Sequence, residues 1–297
     1  MRLIPPSRSR ISLLVGSALV GALVLCAALG PPLLGALGFD PYARVTGVRQ
    51  PPPTPPDRHH PLGTDPMGRD QLARLVHGAR ISLQVGVAGE AIAVVIGVLA
   101  GAFAGYAGGR VDALIMRCAD LVFAFPAPLL ALGIIAAVPE PENAPLLKHL
   151  PQPSVGVVFL VLGGIGWAGI ARLLRGEILR IRELEFARAA AAIGAPGPRV
   201  VLRHLLPNAL GPLTVAATLG VGGNILFEAW LSFLGVGARP PLPSWGTMVT
   251  EGQAYFLSKP WVCVAPGLAI LVAVLGFNLL GDGIRERLDP RRRRTAV

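Results

Sequence analysis

Charge is scarce in this sequence, and what there is has one dominant sign. Asp, Glu, Lys and Arg together make 15% of the 297 residues, and lysine is almost absent, so nearly all of the 27 cationic side chains are arginines. A soluble domain of this length would carry about a quarter charged residues. Cysteine is also rare: Cys26, Cys118 and Cys263 stand alone inside apolar runs. No CxxC pair and no histidine at ligand spacing accompanies them, which excludes a thiolate metal site and leaves them as small apolar fillers. The adjacent pair His59 and His60 sits in a polar loop, where side chains of an extended chain diverge, and it reads as ordinary loop histidine rather than a metal site. Catalytic signatures are missing too. There is no GxSxG, no HExxH and no glycine followed by lysine, so the phosphate loop GxxxxGK[ST] cannot be built. If ATP drives this protein, another chain binds it.

Hydrophobic length is what the sequence does contain. Hydrophobic residues make 53% of the chain and the mean hydropathy is +0.59, which points to lipid as the solvent. The formal charge of +10 then reads as an orientation signal rather than a nucleic-acid footprint. The first apolar run, 11–37, follows Arg2, Arg8 and Arg10 but is too long for a signal core of about 7–15 residues. With about 20 apolar residues needed per crossing, further spans are predicted at 82–106, 113–137, 154–172, 209–230 and 262–281. The expectation is an all-α polytopic membrane protein with about six transmembrane helices. Alternate sides of these spans hold 18 and 9 Lys and Arg residues. The richer side includes both termini and the segment near 172–207, so these are expected in the cytoplasm.

Three regions organise the chain: 1–81 with the first helix and an extracytoplasmic loop, 82–283 as the helical core with a hairpin near 183–207, and a basic tail, 284–297, containing Arg291 to Arg294. The loop begins with the stiff QPPPTPP from Gln50 to Pro56. It leads to HPLGTDPMGRDQLARLVHGARISL, where Asp65 before Pro66 reads as a helix cap. A short helix along the membrane surface is expected there, ending near Gly78.

Ionisable residues inside spans are costly and usually face a cavity or a partner. Glu90, Asp120 and Glu228 are the candidates. Asp120 stands three residues after Arg117 on one helical face, which predicts a local ion pair. Glu90 has no local partner and is the better candidate for lining a path or bonding across helices, while Glu228 is expected near the outer end of its helix. The run GVLAGAFAGYAGG from Gly97 to Gly109 suits close helix packing. Between two greasy segments, ELEFARAAAAI at 183–193 reads as a helix broken by Gly194, Pro196, Gly197 and Pro198, with RVVLRHLL as a second helix from Arg199 ending at Pro207. By composition alone the hairpin is either a basic loop on lipid headgroups or a docking surface: its alanines admit another surface, and its arginines suit acidic partners.

That stretch, EFARAAAAIGAPGPRVVLRHLLPN, resembles the cytoplasmic motif of ABC importer permeases, EAA, three residues, G, nine residues, I, x, LP. The motif places Ala189, Ala190, Gly194, Leu206 and Pro207 in register, with Arg188 at the glutamate place and His204 at the isoleucine place. HPLGTDPMGRD, MRCADLVFAFP, LSFLGVGARPPLPSWGTM, PGLAI and FNLLGDGIRERLDPR resemble the peptide-transporting branch, in order, across most of the chain from His60 to Arg291. The resemblance implies a type I ABC importer permease fold and the C-type subunit of a dipeptide or oligopeptide importer in a bacterial plasma membrane. It implies a second permease, two ATPase subunits holding ATP and Mg, and an extracytoplasmic solute-binding protein, with no cofactor on this chain. Arg188, Ala189, Ala190, Gly194, Leu206 and Pro207 would form the coupling hairpin, and Arg188 would meet an acidic ATPase residue. Asp65, Arg69 and Trp245 are the candidate outer contacts with the binding protein or an outer gate. The same branch resembles carriers of nickel chelates and some glycosides. A secondary transporter coupling ions through Glu90 and Asp120 is the competing reading from another class, and a membrane-embedded enzyme lacks the catalytic constellation it would need.

Overall fold

The computed structural model describes residues 8–45, 51–138, 152–239 and 241–288. Arg2, Gln50, Lys148 and the Arg291 to Arg294 run lie outside the described residues. The helices are α1 (Arg8–Ala36), α2 (Gln71–Ala107), α3 (Gly109–Phe123), α4 (Ala127–Ala137), α5 (Pro153–Arg182), α6 (Glu185–Ala192), α7 (Gly197–Val200), α8 (Leu206–Phe233), α9 (Trp245–Gly252) and α10 (Trp261–Leu288). Among the described residues there is no strand, only isolated bridges of Arg44 with Arg69 and Thr64 with Asp70. Five stretches are long and apolar enough to cross a membrane, and α3 with α4 makes a sixth if counted as one span. The expected all-α polytopic architecture is therefore present.

Three expectations change in detail. The third span is bent by 90° between α3 and α4. Pro126 stands at the break with ψ 122: it has no N–H to continue the helix and its ring disfavours the helical region for Phe125. Next, the short surface helix does not exist as a separate element. Asp70, not Asp65, caps the helix, accepting the backbone N–H of Ala73 at 2.7 Å, and α2 runs straight through Gly78. That glycine makes room instead of ending the helix, since a Cβ there would come within 2.9 Å of the Trp245 indole. Finally, the helix expected to stop at Pro207 continues. A π-helical turn, Val201–Leu205, joins α7 to α8, and the amide of Leu206 bonds back to Val201 O. The wide turn absorbs the donor that Pro207 lacks, and the Asn208 side chain donates to His204 O at 2.7 Å.

The packing hub is α2 against α5. Gly97, Gly101 and Gly105 recur every four residues, on one face of α2, and present bare backbone to Ile170, Ala171 and Ile178 of α5. A Cβ on Gly101 would lie 2.5 Å from Ala171 O. In lipid, where burying apolar surface between helices has little driving force, this closeness of approach is what van der Waals attraction requires. The same device lays α1 on α10, where Gly276 and Gly283 meet Leu19 and Leu13. α8 packs between α2, α5 and α10.

Candidate functional site

The α6–α7 hairpin is built on the ends of α5 and α8. Ala187, Val200 and Leu205 pack with Leu174, Ile178 and Ile181 into one apolar cluster, to which Leu206 adds a half-buried face. The turn between its two helices requires a left-handed residue, and Gly194 supplies it with φ +82; an L side chain would be strained there. Arg182 extends from the end of α5 to Gly105 O at 3.1 Å, tying the hairpin's base to the end of α2.

The six motif residues divide by exposure. Arg188, Ala189, Gly194 and Pro207 are exposed, Leu206 is half-buried, and Ala190 is buried. Ala190, Ile193, Gly194, Arg199, Arg203 and His204 line a hollow of about 510 Å³. Arg188 is paired within the chain, donating to Glu183. That bond, followed by the guanidinium charge, holds the Glu183 carboxyl below its ordinary range. Sequence reasoning passed over the most exposed apolar residues of this surface: Ile193 is 86% exposed and Leu202 is 66% exposed. The signal was available in a large apolar side chain, Ile193, at the end of an alanine run and beside the breaking glycine.

At the opposite end of the bundle, Asp65, Arg69 and Trp245 are internal. Asp65 caps its own turn, accepting from the amides of Met67 and Arg69 at 2.8 Å each, and its other oxygen takes Arg69 Nε at 2.6 Å. Arg69 Nη2 reaches Glu251 of α9 at 3.1 and 3.2 Å. Arg74, fully buried, donates to Glu251 Oε2 at 2.7 Å, and its Nε lies 3.2 Å from Asp65 Oδ2 without hydrogen-bond geometry. The cluster thus holds two cations and two carboxylates. Trp245 is pinned by its indole N–H on Leu75 O at 2.9 Å and by its amide on Ser82 Oγ at 3.3 Å. Gln71 Nε2 donates to Val262 O at 2.9 Å, and Lys259 donates to Pro53 O. Loop, α2, α9 and α10 form one fastened unit, so none of the three candidate residues is free on this surface. In the loop, Asp57 accepts the amides of His60 and His59 at 2.6 and 2.8 Å, and these bonds, the His60 one first, lower its pKa.

The in-span acids have partners that local spacing did not indicate. Asp120 pairs with Arg172 of α5 at 2.8 Å, not with Arg117, and Arg172 also lies 4.5 Å over the Phe123 ring. A flat guanidinium stacked on an aromatic face and bonded to a carboxylate outcompetes a solvated neighbour three residues away. A second arginine, Arg175, binds Asp112 of α3 through two nitrogens. Glu90 does bond across helices: Asn224 Nδ2 of α8 donates to its Oε2 at 3.1 Å. Glu228 is not a loose end. It is completely buried, accepting Ser232 Oγ at 2.7 Å and Ser82 Oγ at 3.4 Å, and so joins α8 to α2 beneath the Ser244 turn that starts α9.

Comparison with known proteins agrees with this geometry. Residues 97–294 match the family model described as binding-protein-dependent transport system inner membrane component. The chain is 40% identical over 235 residues to the oligopeptide transport system permease protein OppC of Haemophilus influenzae, covering 79% of this chain and 71% of the relative. It is 38% identical over 281 residues to the dipeptide transport system permease protein DppC of Alkalihalophilus pseudofirmus, covering 94% and 85%. The DppC protein of Bacillus subtilis is 39% identical over 241 residues, with 81% and 71% covered.

Proposed function

The chain belongs to the family of binding-protein-dependent transport system inner membrane components, and on that premise we propose that it is the C-type permease subunit of an ATP-driven importer of dipeptides or oligopeptides. Peptide as the cargo is supported by the names of the relatives, oligopeptide and dipeptide transport permeases. Its partners are a second permease, two ATP-binding subunits that hold ATP and Mg, and an extracytoplasmic solute-binding protein. The excess of Lys and Arg on the hairpin side supports a cytoplasmic hairpin and cytoplasmic termini.

One observation carries the mechanism: an exposed hairpin whose inner face is continuous with the packing of α5 and α8. A push on α6 and α7 cannot be dissipated in a loose loop, because Val200 and Leu205 are locked onto Ile178 and Ile181. When ATP closes the ATPase pair, the hairpin carries that displacement into the helices as rigid-body rocking, and the path opens alternately to each side. Ile193 and Leu202 supply the apolar contact to the ATPase, Arg199 and Arg203 the charge complement. At the other end, the Asp65, Arg69, Arg74 and Glu251 cluster braces α9 and Trp245 as a strut of the outer gate.

The test is ATP-dependent uptake of a labelled tripeptide by vesicles containing the complete importer and its binding protein. Ile193→Asp and Arg188→Glu, both on exposed positions, are expected to leave the permease folded and to lower coupled uptake at least tenfold, Ile193→Asp more strongly. Full uptake and normal ATPase association in both variants would remove the hairpin from the coupling path. Uptake driven by a proton or sodium gradient with no ATPase present would overturn the assignment itself.

A further inference from the structure

A second feature lies away from the hairpin and the ion cluster. A cavity of about 1020 Å³ opens between α1, α2 and α5 near the loop end of the bundle. Its polar mouth is formed by Tyr42, His77, Arg80, Gln84 and Gln152, and its walls by Val24, Ile81, Val87 and Phe159, among others. Arg80 is exposed there, and no described carboxylate pairs with it. Every other arginine near this end of α2 is committed: Arg69 and Arg74 to the cluster with Glu251, and Arg44 Nε to Met67 O.

We propose that this cavity is a binding site for an anionic glycerophospholipid, whose phosphate is held by Arg80 and whose acyl chains lie down the α2 face below it. Three observations favour a lipid. The first is height. At about 1.5 Å per residue, Arg80 stands about 40 Å along α2 from Ala107, close to the 40–45 Å of a bilayer with its headgroups. With Ala107 at the headgroups of one leaflet, the guanidinium stands at phosphate level in the other, on the Gln71 side, which is the outer one on the orientation proposed above. The second is the composition of the face. Continuing down α2 at helical spacing from Gln84 and Val87, the chain presents Ala91, Val95 and Leu99, all exposed and all apolar. A path for a hydrated peptide would need polar groups at that depth, and those that exist, Glu90 and Asn224, bond to each other between α2 and α8 instead. The third is the mixture at the mouth. One cation with amides, an imidazole and a phenol can satisfy several phosphate and glycerol oxygens together, whereas a lone snorkelling arginine has no such surroundings. A tail needs only the long apolar groove beneath.

The complete importer, purified with its partners, is reconstituted in bilayers containing phosphatidylglycerol and phosphatidylcholine, and retained lipids are counted by native mass spectrometry. Wild type is expected to keep phosphatidylglycerol in preference to phosphatidylcholine. Arg80→Gln should lower that preference roughly five- to tenfold, since one basic group near an anionic surface contributes a factor of that order, while Arg80→Lys should retain most of it. Val87→Trp, which fills the groove but leaves the cation, is the second variant and should displace the lipid as well. A phosphatidylglycerol bearing a photoreactive acyl chain should label peptides from α2 or α5. Unchanged preference in both Arg80→Gln and Val87→Trp would overturn the proposal. So would labelling confined to the second permease, which would mean a protein covers the groove, or release of the lipid by transported peptide, which would make the cavity part of the cargo path. These outcomes do not depend on which solute is imported, so the lipid site can fail while the peptide assignment stands.

Discussion

Arg74 of α2 and Glu251 of α9 meet at 2.7 Å across 177 residues of chain, and the arginine is fully buried where they meet. Two of its nitrogens, Nε and Nη1, make no hydrogen bond. Its side-chain hydrogen bond to a carboxylate therefore goes to Glu251, which is itself shared with Arg69, while Asp65 Oδ2 at 3.2 Å from Nε adds only Coulombic attraction. Removing one partner of a buried pair leaves an uncompensated charge, which costs about 3–5 kcal/mol. Glu251→Ala is expected to lower stability by that order, and Glu251→Gln by less because an amide still accepts from Nη2. Thermal unfolding of the purified protein in detergent measures this. A shift corresponding to under about 1 kcal/mol would mean that water reaches Arg74 and the cluster is not a brace.

Glu90 and Asn224 join α2 to α8 in the middle of the bundle. Gly220 keeps the space clear, because a Cβ there would collide with the Glu90 carboxyl. A double-mutant cycle of Glu90→Ala and Asn224→Ala should give a coupling of about 0.5–1.5 kcal/mol, the range of interhelical hydrogen bonds in membranes. Strict additivity would show that each side chain has another partner in the assembled importer.

Gly101 is the closest approach of the α2 and α5 backbones among the glycines of that face: a Cβ there would lie 2.5 Å from Ala171 O. Gly101→Val cannot be accommodated by a side chain turning away, because the obstacle is backbone. Overpacking of this kind costs about 1–3 kcal/mol or more. The expected result is loss of monodisperse protein on size exclusion, with Gly101→Ala intermediate. Gly133→Val, where a Cβ would meet nothing within 4 Å, is the control and should behave as wild type.

The turn at Asp57 should respond to acid in a predictable direction. Its carboxyl is lowered from 3.8 by the amides of His60 and His59. A depressed carboxylate contributes stability above its unfolded value and loses it as pH falls through the folded one. The His60 amide is therefore expected to be protected from exchange at pH 5 and to lose protection only below about 3.8, the ordinary value for an aspartate carboxyl. Asp57→Asn should abolish the pH dependence. Loss of protection already at pH 5 in the wild type would show that the turn is held by something else.

Much of the fold was legible because its signals are local. A span is an apolar run, a break is a glycine or proline, and the hairpin combined both within about 25 residues of sequence, where the motif match also lay. The site was legible where it is short-range: Gly194 was expected at a bend and takes φ +82. What was not legible depended on helices remote in sequence. Arg117 was the obvious neighbour for Asp120, yet Arg172, 52 positions away, forms the pair because α5 crosses α3 there. Gly78 looked like a helix end and is instead a notch for Trp245. Asp65 and Arg69 looked like loop residues available to a partner and are consumed by their own turn and by Glu251.

The sequence by itself determined that this chain lives in a bilayer, how many times its apolar runs can cross it, where its basic hairpin falls, and to which family its ordered motifs belong. Each of these follows from the transfer of contiguous residues to lipid or from backbone rules that act over a few positions. Only the tertiary structure decided that α2 is unbroken through Gly78, that the third span turns through 90°, which charges neutralise which, and that Arg80, on the loop side of α2, faces an open cavity. A buried charge takes the partner that packing brings within about 3 Å, and in a bundle of this topology that partner comes from another helix.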